Sequence, residues 1–154
     1  MRIFSMLTRS GRSQICMVGM LLLTLGPLQA QTPYQGAAKS LQINTLVQGG
    51  ASWDKIPYQA YPAAPPQLTV LKITLPPNSA LPWHTHSIPV AVYVLSGKLI
   101  IEKKSGEKIV LAEGQAALEA QYTVHRGKTG NSPTVLIAFY AGALGLPLAE
   151  TVQR

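Results

Sequence analysis

The chain has 154 residues, with thirteen lysines and arginines against six acids, a net charge of +7, and a single cysteine. That length suits one main domain. One thiol excludes an internal disulfide framework and a cysteine-based metal cage.

Residues 1–30 read as a cleavable signal peptide. Arg2, Arg9 and Arg12 form a basic start without acids, and the apolar run "ICMVGMLLLTL" from Ile15 to Leu25 follows. Gly26-Pro27 breaks that run, and Ala30 offers a small residue before Gln31. The run is shorter than the roughly 18–20 residues that span a bilayer, so no stable membrane anchor is expected after cleavage. Cys16 leaves with the signal. The remaining 124 residues carry ten lysines and arginines against the six acids, a mild +4. A periplasmic or secreted protein without disulfides must rest on its core, and 124 residues can bury one.

Residues 31–40 are polar and read as a flexible mature N-terminus, with the domain itself over 41–150. "LQINTLV" (Leu41–Val47) alternates as a strand does. From Gly49 to Pro66 four prolines (Pro57, Pro62, Pro65 and Pro66) forbid a continuous helix and predict an extended loop lying over the body. "LTVLKITL" (Leu68–Leu75) is a strong strand, closed by Pro76-Pro77. Short strands then follow at even spacing: Val90–Leu95, Lys98–Lys103, Lys108–Leu111, Gln115–Glu119 and Thr134–Tyr140. Ser96-Gly97 and Ser105-Gly106 supply tight turns, which predicts an antiparallel meander through the middle strands. No segment has a helical period. The fold class is all-β, a sandwich or barrel. Lys98, Lys103, Lys104 and Lys108 gather about one hairpin with Glu102 and Glu107 among them. Without interleaved aromatics this is a solvated sheet edge, so no nucleic-acid partner is expected.

The chain's three histidines carry the chemistry. His84 and His86 are two residues apart, so in a strand they project to one face. Val90, Val92 and Val94 continue the same parity, which makes that face the inward one. Two buried imidazoles need partners, and a divalent metal satisfies both at once. His125 lies where a returning antiparallel strand can bring it to the pair. The other reading is a pocket of neutral histidines bonded among themselves or to water.

These residues resemble the two motifs of the cupins, whose small members are double-sheet jelly rolls. The first motif runs Gly-x5-His-x-His-x3–4-Glu-x6-Gly. His84, His86 and Gly97 match it, while Val90 occupies the glutamate place and Asn78 that of the opening glycine. The second runs Gly-x5-Pro-x-Gly-x2-His-x3-Asn. Gly114 and His125 match, and Ala120, Tyr122 and Thr129 replace the proline, glycine and asparagine. "YVLSG" after the histidine pair and "HRG" at the third histidine are similar to small, often exported, members of the superfamily. The likeness covers residues 41–142.

The resemblance implies a double-stranded jelly-roll barrel holding a divalent metal (iron, manganese, zinc, nickel or copper) through His84, His86 and His125. The expected partner is a small-molecule ligand or substrate. With valine in the glutamate place, the site resembles the three-histidine iron site of thiol dioxygenases, which implies a dioxygenase-like oxidoreductase. A non-catalytic metal- or ligand-binding module, and a metal-dependent isomerase or lyase, are the alternatives. Glu119 falls where the family carries an inward apolar residue. Turned inward it would support a histidine, ligate, or act as a base; turned outward it is an edge glutamate. Tyr93 and Tyr122 could border the pocket, Trp83 is expected to pack a loop or a partner subunit, and Arg126 and Lys128 either attract an acidic ligand or are exposed loop cations without a function. A cupin of this size is also expected to form a homodimer through its N-terminal strands.

Overall fold

A computed structural model describes residues 41–153 of the chain. The signal peptide expected over 1–30 and the flexible segment expected over 31–40 lie outside the described residues. Within them are nine strands and no helix: β1 Pro66–Leu75, β2 His84–Thr85, β3 Val90–Ser96, β4 Lys98–Lys103, β5 Lys108–Ala112, β6 Ala116–Leu118, β7 His125–Lys128, β8 Thr134–Ala143 and β9 Glu150–Thr151. Two sheets face each other, one ordered β1-β8-β3-β6 and the other β5-β4-β7-β2-β9, with every named pair antiparallel. This is a double-sheet jelly roll, as the alternating pattern predicts.

The core lies between the sheets and follows strand parity. Val90, Val92 and Val94 of β3 face Leu99 and Ile101 of β4, with Leu111, Leu136 and Ala138 completing the layer. Each fully buried aliphatic side chain contributes about 1.5–3 kcal/mol relative to leaving it in water. The core can therefore support the fold without covalent staples.

Three sequence expectations need correction. Leu41–Val47 forms no strand: Leu41, Ile43, Leu46 and Val47 are all exposed, with no partner strand among the described residues. The Ser105-Gly106 turn does join paired strands β4 and β5, but Ser96-Gly97 does not. At Gly97 the chain leaves one sheet and enters the other, so the middle strands form no simple meander. Gly97 has φ +83°, and a Cβ there would lie 2.3 Å from the Pro133 carbonyl oxygen. Beside it the buried Thr134 hydroxyl donates to the Lys98 carbonyl at 2.7 Å. The tight approach of β8, which only glycine permits, turns the corner. Third, the histidine strand does not run on into the valines. It stops after Thr85 and crosses to the other sheet through Ser87, Ile88 and Pro89, and the inward parity survives the crossing because Ile88 is buried too.

The motif's departures leave a mark on the backbone. Asn78 and Tyr122, which stand in the places of two motif glycines, have φ +52° and +57°. Gly97 and Gly114, the two motif glycines retained, have φ +83° and +80°. The fold thus demands left-handed backbone at all four places whatever residue fills them. Asparagine tolerates this region; tyrosine does so at a cost of about 1–2 kcal/mol. Tyr122 is 57 % exposed, so little packing is lost with its ring. Tyr122→Gly is expected to stabilise the protein by about 0.5–1 kcal/mol after the entropy of glycine is offset, read as a higher denaturant midpoint at unchanged m-value.

Candidate metal centre

His84 and His125 are direct partners across the β2–β7 pairing, so their side chains leave the sheet on the same face. His86, two residues on, joins them from just beyond β2. The ring centroids stand 4.7 Å (His84–His125), 4.8 Å (His84–His86) and 5.1 Å (His86–His125) apart. His86 and His125 are 2 % and 0 % exposed, and His84 is half-buried. The structure thus brings together all three histidines that the sequence singled out.

Each ring is oriented in the same way. Nδ1 of His84 lies 2.8 Å from the Pro82 carbonyl, Nδ1 of His86 2.6 Å from that of Leu148, and Nδ1 of His125 2.7 Å from that of Thr123. A carbonyl only accepts, so every Nδ1 carries a hydrogen, and Nε2 is the ring nitrogen left for a partner inside the barrel. This arrangement of backbone carbonyls behind imidazoles is the one that orients metal-binding histidines. The C-terminal segment takes part: β9 pairs with β2, and Val152 N–H donates to the Trp83 carbonyl, which holds Leu148 over His86.

Glu119 resolves inward. Its Oε2 lies 3.0 Å from His86 Nε2 and 3.7 Å from His125 Nε2. One nitrogen or oxygen atom from each of His84, His86, His125 and Glu119 falls within a common span of 4.8 Å. Valine in the family's glutamate place therefore does not leave the histidines without a carboxylate; Glu119 brings one from the segment that follows β6. β6 ends at Leu118, so Glu119 sits beyond the regular ladder, and strand periodicity does not fix its direction.

The donor set fits a divalent cation. Neutral His86 and ionised Glu119 would set two lone pairs against each other at 3.0 Å, a contact that only a proton or a metal between them makes favourable. His125 Nε2 is buried without a hydrogen-bond partner among the described residues. Three imidazole nitrogens and one carboxylate oxygen suit zinc, iron, manganese, nickel or copper. The electrostatics agree. Burial works against the charge of Glu119, but His125 and His86 outweigh it and hold the carboxyl well below its usual range. Burial also disfavours charge on His125, yet Glu119 beside it carries its pKa above the ordinary imidazole value. His84 is lowered, by burial first, against the Pro82 carbonyl that favours its protonated form.

Other expected site residues fall differently. Tyr93 lies half-buried on the outward parity of β3, opposite Val92 and Val94, and does not border the cluster. Tyr122 reaches it only through the backbone, its N–H donating to the His86 carbonyl at 2.8 Å. The tyrosine at the site is Tyr140, which sequence reading passed over. Its ring meets His86 edge-on with centroids 5.8 Å apart, and burial together with Glu119 pushes its hydroxyl up to about 12. The signal was present: Tyr140 shares the inward parity of Leu136 and Ala138 on β8. Arg126 and Lys128 are engaged with one carboxylate, each 2.6 Å from Glu102, and Arg126 stacks 4.3 Å over the ring of Trp83. Trp83 thus packs under a cation on the outer face of the five-stranded sheet.

A two-sheet barrel with a histidine–carboxylate cluster inside defines a small jelly-roll protein with a potential metal site. Residues 71–140 match the family described as "Cupin domain". The described barrel is a small cupin-superfamily domain. Among solved structures, a DMSP lyase, DddQ, from Ruegeria pomeroyi DSS-3 is similar at 15 % identity and a TM-score of 0.50, covering 64 % of this chain and 47 % of that one. A cupin-like protein from Thermotoga maritima MSB8 gives 18 % identity and a TM-score of 0.49, covering 55 % of this chain and 64 % of that one. A cupin domain from Bordetella pertussis Tohama I gives 21 % identity and a TM-score of 0.43, covering 56 % of this chain and all, 100 %, of that one. The chain spans about half the length of the lyase, and at these identities the likeness concerns the fold. No curated protein matches the chain.

Proposed function

We propose that this chain is an exported cupin that holds a divalent metal through His84, His86, His125 and Glu119 and acts on a small molecule as a dioxygenase-like oxidoreductase. The observation that carries the metal assignment is the common orientation of the three rings. Each Nδ1 is tied to a carbonyl, the Nε2 atoms of His86 and His125 lie 3.0 and 3.7 Å from Glu119 Oε2, and one donor atom from each of the four residues falls within 4.8 Å of the others. A divalent metal bound there supplies Lewis acidity and coordination positions beyond the four protein donors. The residues do the rest. His86 and His125, closed off from solvent, keep the centre dry, and half-buried His84 marks the side open to a small ligand. Glu119 carries the one formal negative charge of the donor set. Tyr140, kept protonated beside His86, offers a hydroxyl donor at the edge of the cluster.

Oxygen uptake by the iron-loaded protein, assayed against panels of small thiols and phenols, tests the reaction. Turnover that disappears in Glu119→Ala is the expected result. Stoichiometric metal with no uptake across both panels would overturn the oxidoreductase reading. It would favour the second one, a binding module, for which the near-complete burial of two of the three rings speaks. Export and a homodimer remain part of the proposal. They are motivated by the basic-then-apolar start of the sequence and by β1, a ten-residue strand at the end of its sheet carrying the exposed Leu68 and Val70.

A further inference from the structure

A glutamate at position 90 would have its backbone fixed from both sides, because β3 lies between β8 and β6 in the sheet. Among the described residues position 119 has no such support. β6 is the last strand of that sheet and only three residues long, and Glu119 comes after its end. The final rung is Glu119 N–H donating to the Val90 carbonyl at 2.9 Å. A carboxylate delivered from beyond the end of an edge strand needs another anchor to stay in place.

The segment before β1 supplies one. Ala51 and Pro57 form a bridge, Ser52 N–H donates to the Ile56 carbonyl at 3.0 Å, and Tyr58 N–H to that of Gly50 at 2.9 Å, which makes a small closed hairpin. On one side of Glu119 this hairpin docks through Trp53 N–H on the Leu118 carbonyl, at 2.9 Å. On the other side Gln59 N–H donates to Gln121 Oε1 at 3.2 Å, and Gln121 Nε2 donates to the Ser87 carbonyl at 2.9 Å. Between them the Tyr58 hydroxyl donates to the carbonyl of Glu119 itself at 2.7 Å, and stands 3.4 Å from that of Val90. Burial and the nearby Glu119 raise the phenol, so the hydroxyl stays a donor at all ordinary pH.

We propose that Tyr58 is a positioning residue for the metal site: by bridging the carbonyls of Val90 and Glu119 it holds the carboxylate, brought from outside the motif, against His86 and His125. This role rests on the metal assignment above. Tyr58 stands in for the neighbouring strand that position 119 lacks among the described residues.

The test is a double-mutant cycle on the full chain with Co(II) chloride as the probe, reading affinity and the visible ligand-field spectrum. Tyr58→Phe keeps the ring and its packing and removes only the hydroxyl. It is expected to weaken cobalt binding about tenfold, the lower end for an outer partner of a metal ligand, and to move the spectrum towards that of Glu119→Gln. In a Glu119→Gln background the same change is expected to alter affinity less than about twofold, because the group it positions is gone. Thermal midpoints of the four metal-free proteins confirm that all are folded. Equal losses in both backgrounds would show general loosening and overturn the role. So would a Tyr58→Phe protein that binds cobalt as wild type does. A wild-type protein that takes up no cobalt would instead overturn the metal assignment, and the role of Tyr58 with it.

Discussion

Replacing His84 and His125 together by alanine is expected to remove bound metal altogether, with wild type retaining about one ion per chain after gel filtration. The two residues face each other across the β2–β7 pairing and are two of the four candidate donors. Structural zinc sites with four donors gain roughly 10–16 kcal/mol, so each donor is worth on the order of 3 kcal/mol and two are worth about 10^4 in affinity. Elemental analysis of both proteins decides the matter. Equal metal in the two would eliminate the site and leave a pocket of neutral histidines. Far-UV circular dichroism controls for folding, since His125 is fully buried and its loss opens a cavity.

Glu119→Gln is expected to lower metal affinity about 100-fold at neutral pH, by the same share per donor. It is also expected to change how binding depends on pH. The sign follows from the two shifted groups. Glu119 is depressed, so its ionised form contributes stability above the ordinary carboxylate value, and the contribution is lost as pH falls through the lower folded one. His125 is raised, so its protonated form contributes stability below the ordinary imidazole value, and that is lost as pH rises through the higher folded one. A metal must displace the His125 proton. In wild type, metal affinity therefore climbs with pH up to and through that raised value, with protons released on binding. With glutamine at 119 the partner that raises His125 is gone, and the climb should move to lower pH. Isothermal titration in buffers of different ionisation enthalpy measures both the affinity and the protons released. An unchanged pH midpoint in the variant would show that Glu119 does not govern His125.

Much of this was legible in the sequence because strand periodicity is a local property. His84 and His86 two apart, with buried valines on the same parity, already placed both rings inside. The spacing to His125 matched a returning strand. Gly97 and Gly114 stood where the backbone turns left-handed, and the residues replacing two other motif glycines, Asn78 and Tyr122, keep that conformation.

The rest required the packed molecule. Leu41–Val47 alternates like a strand but finds no partner among the described residues, and alternation alone cannot supply one. Ser96-Gly97 reads as a hairpin turn, yet the close approach of Pro133 makes it the corner between two sheets. Glu119 follows the last paired residue of a short edge strand, where period two no longer dictates which way a side chain points. Its direction is set by Tyr58 and Val90, 61 and 29 positions away in the chain, and by the two histidines it meets. The sequence by itself determined a β barrel with three inward histidines, and its resemblance to the cupins set Val90 in the place of their usual glutamate. Only the tertiary structure decided that another carboxylate takes part, because that depends on contacts between segments far apart in the chain.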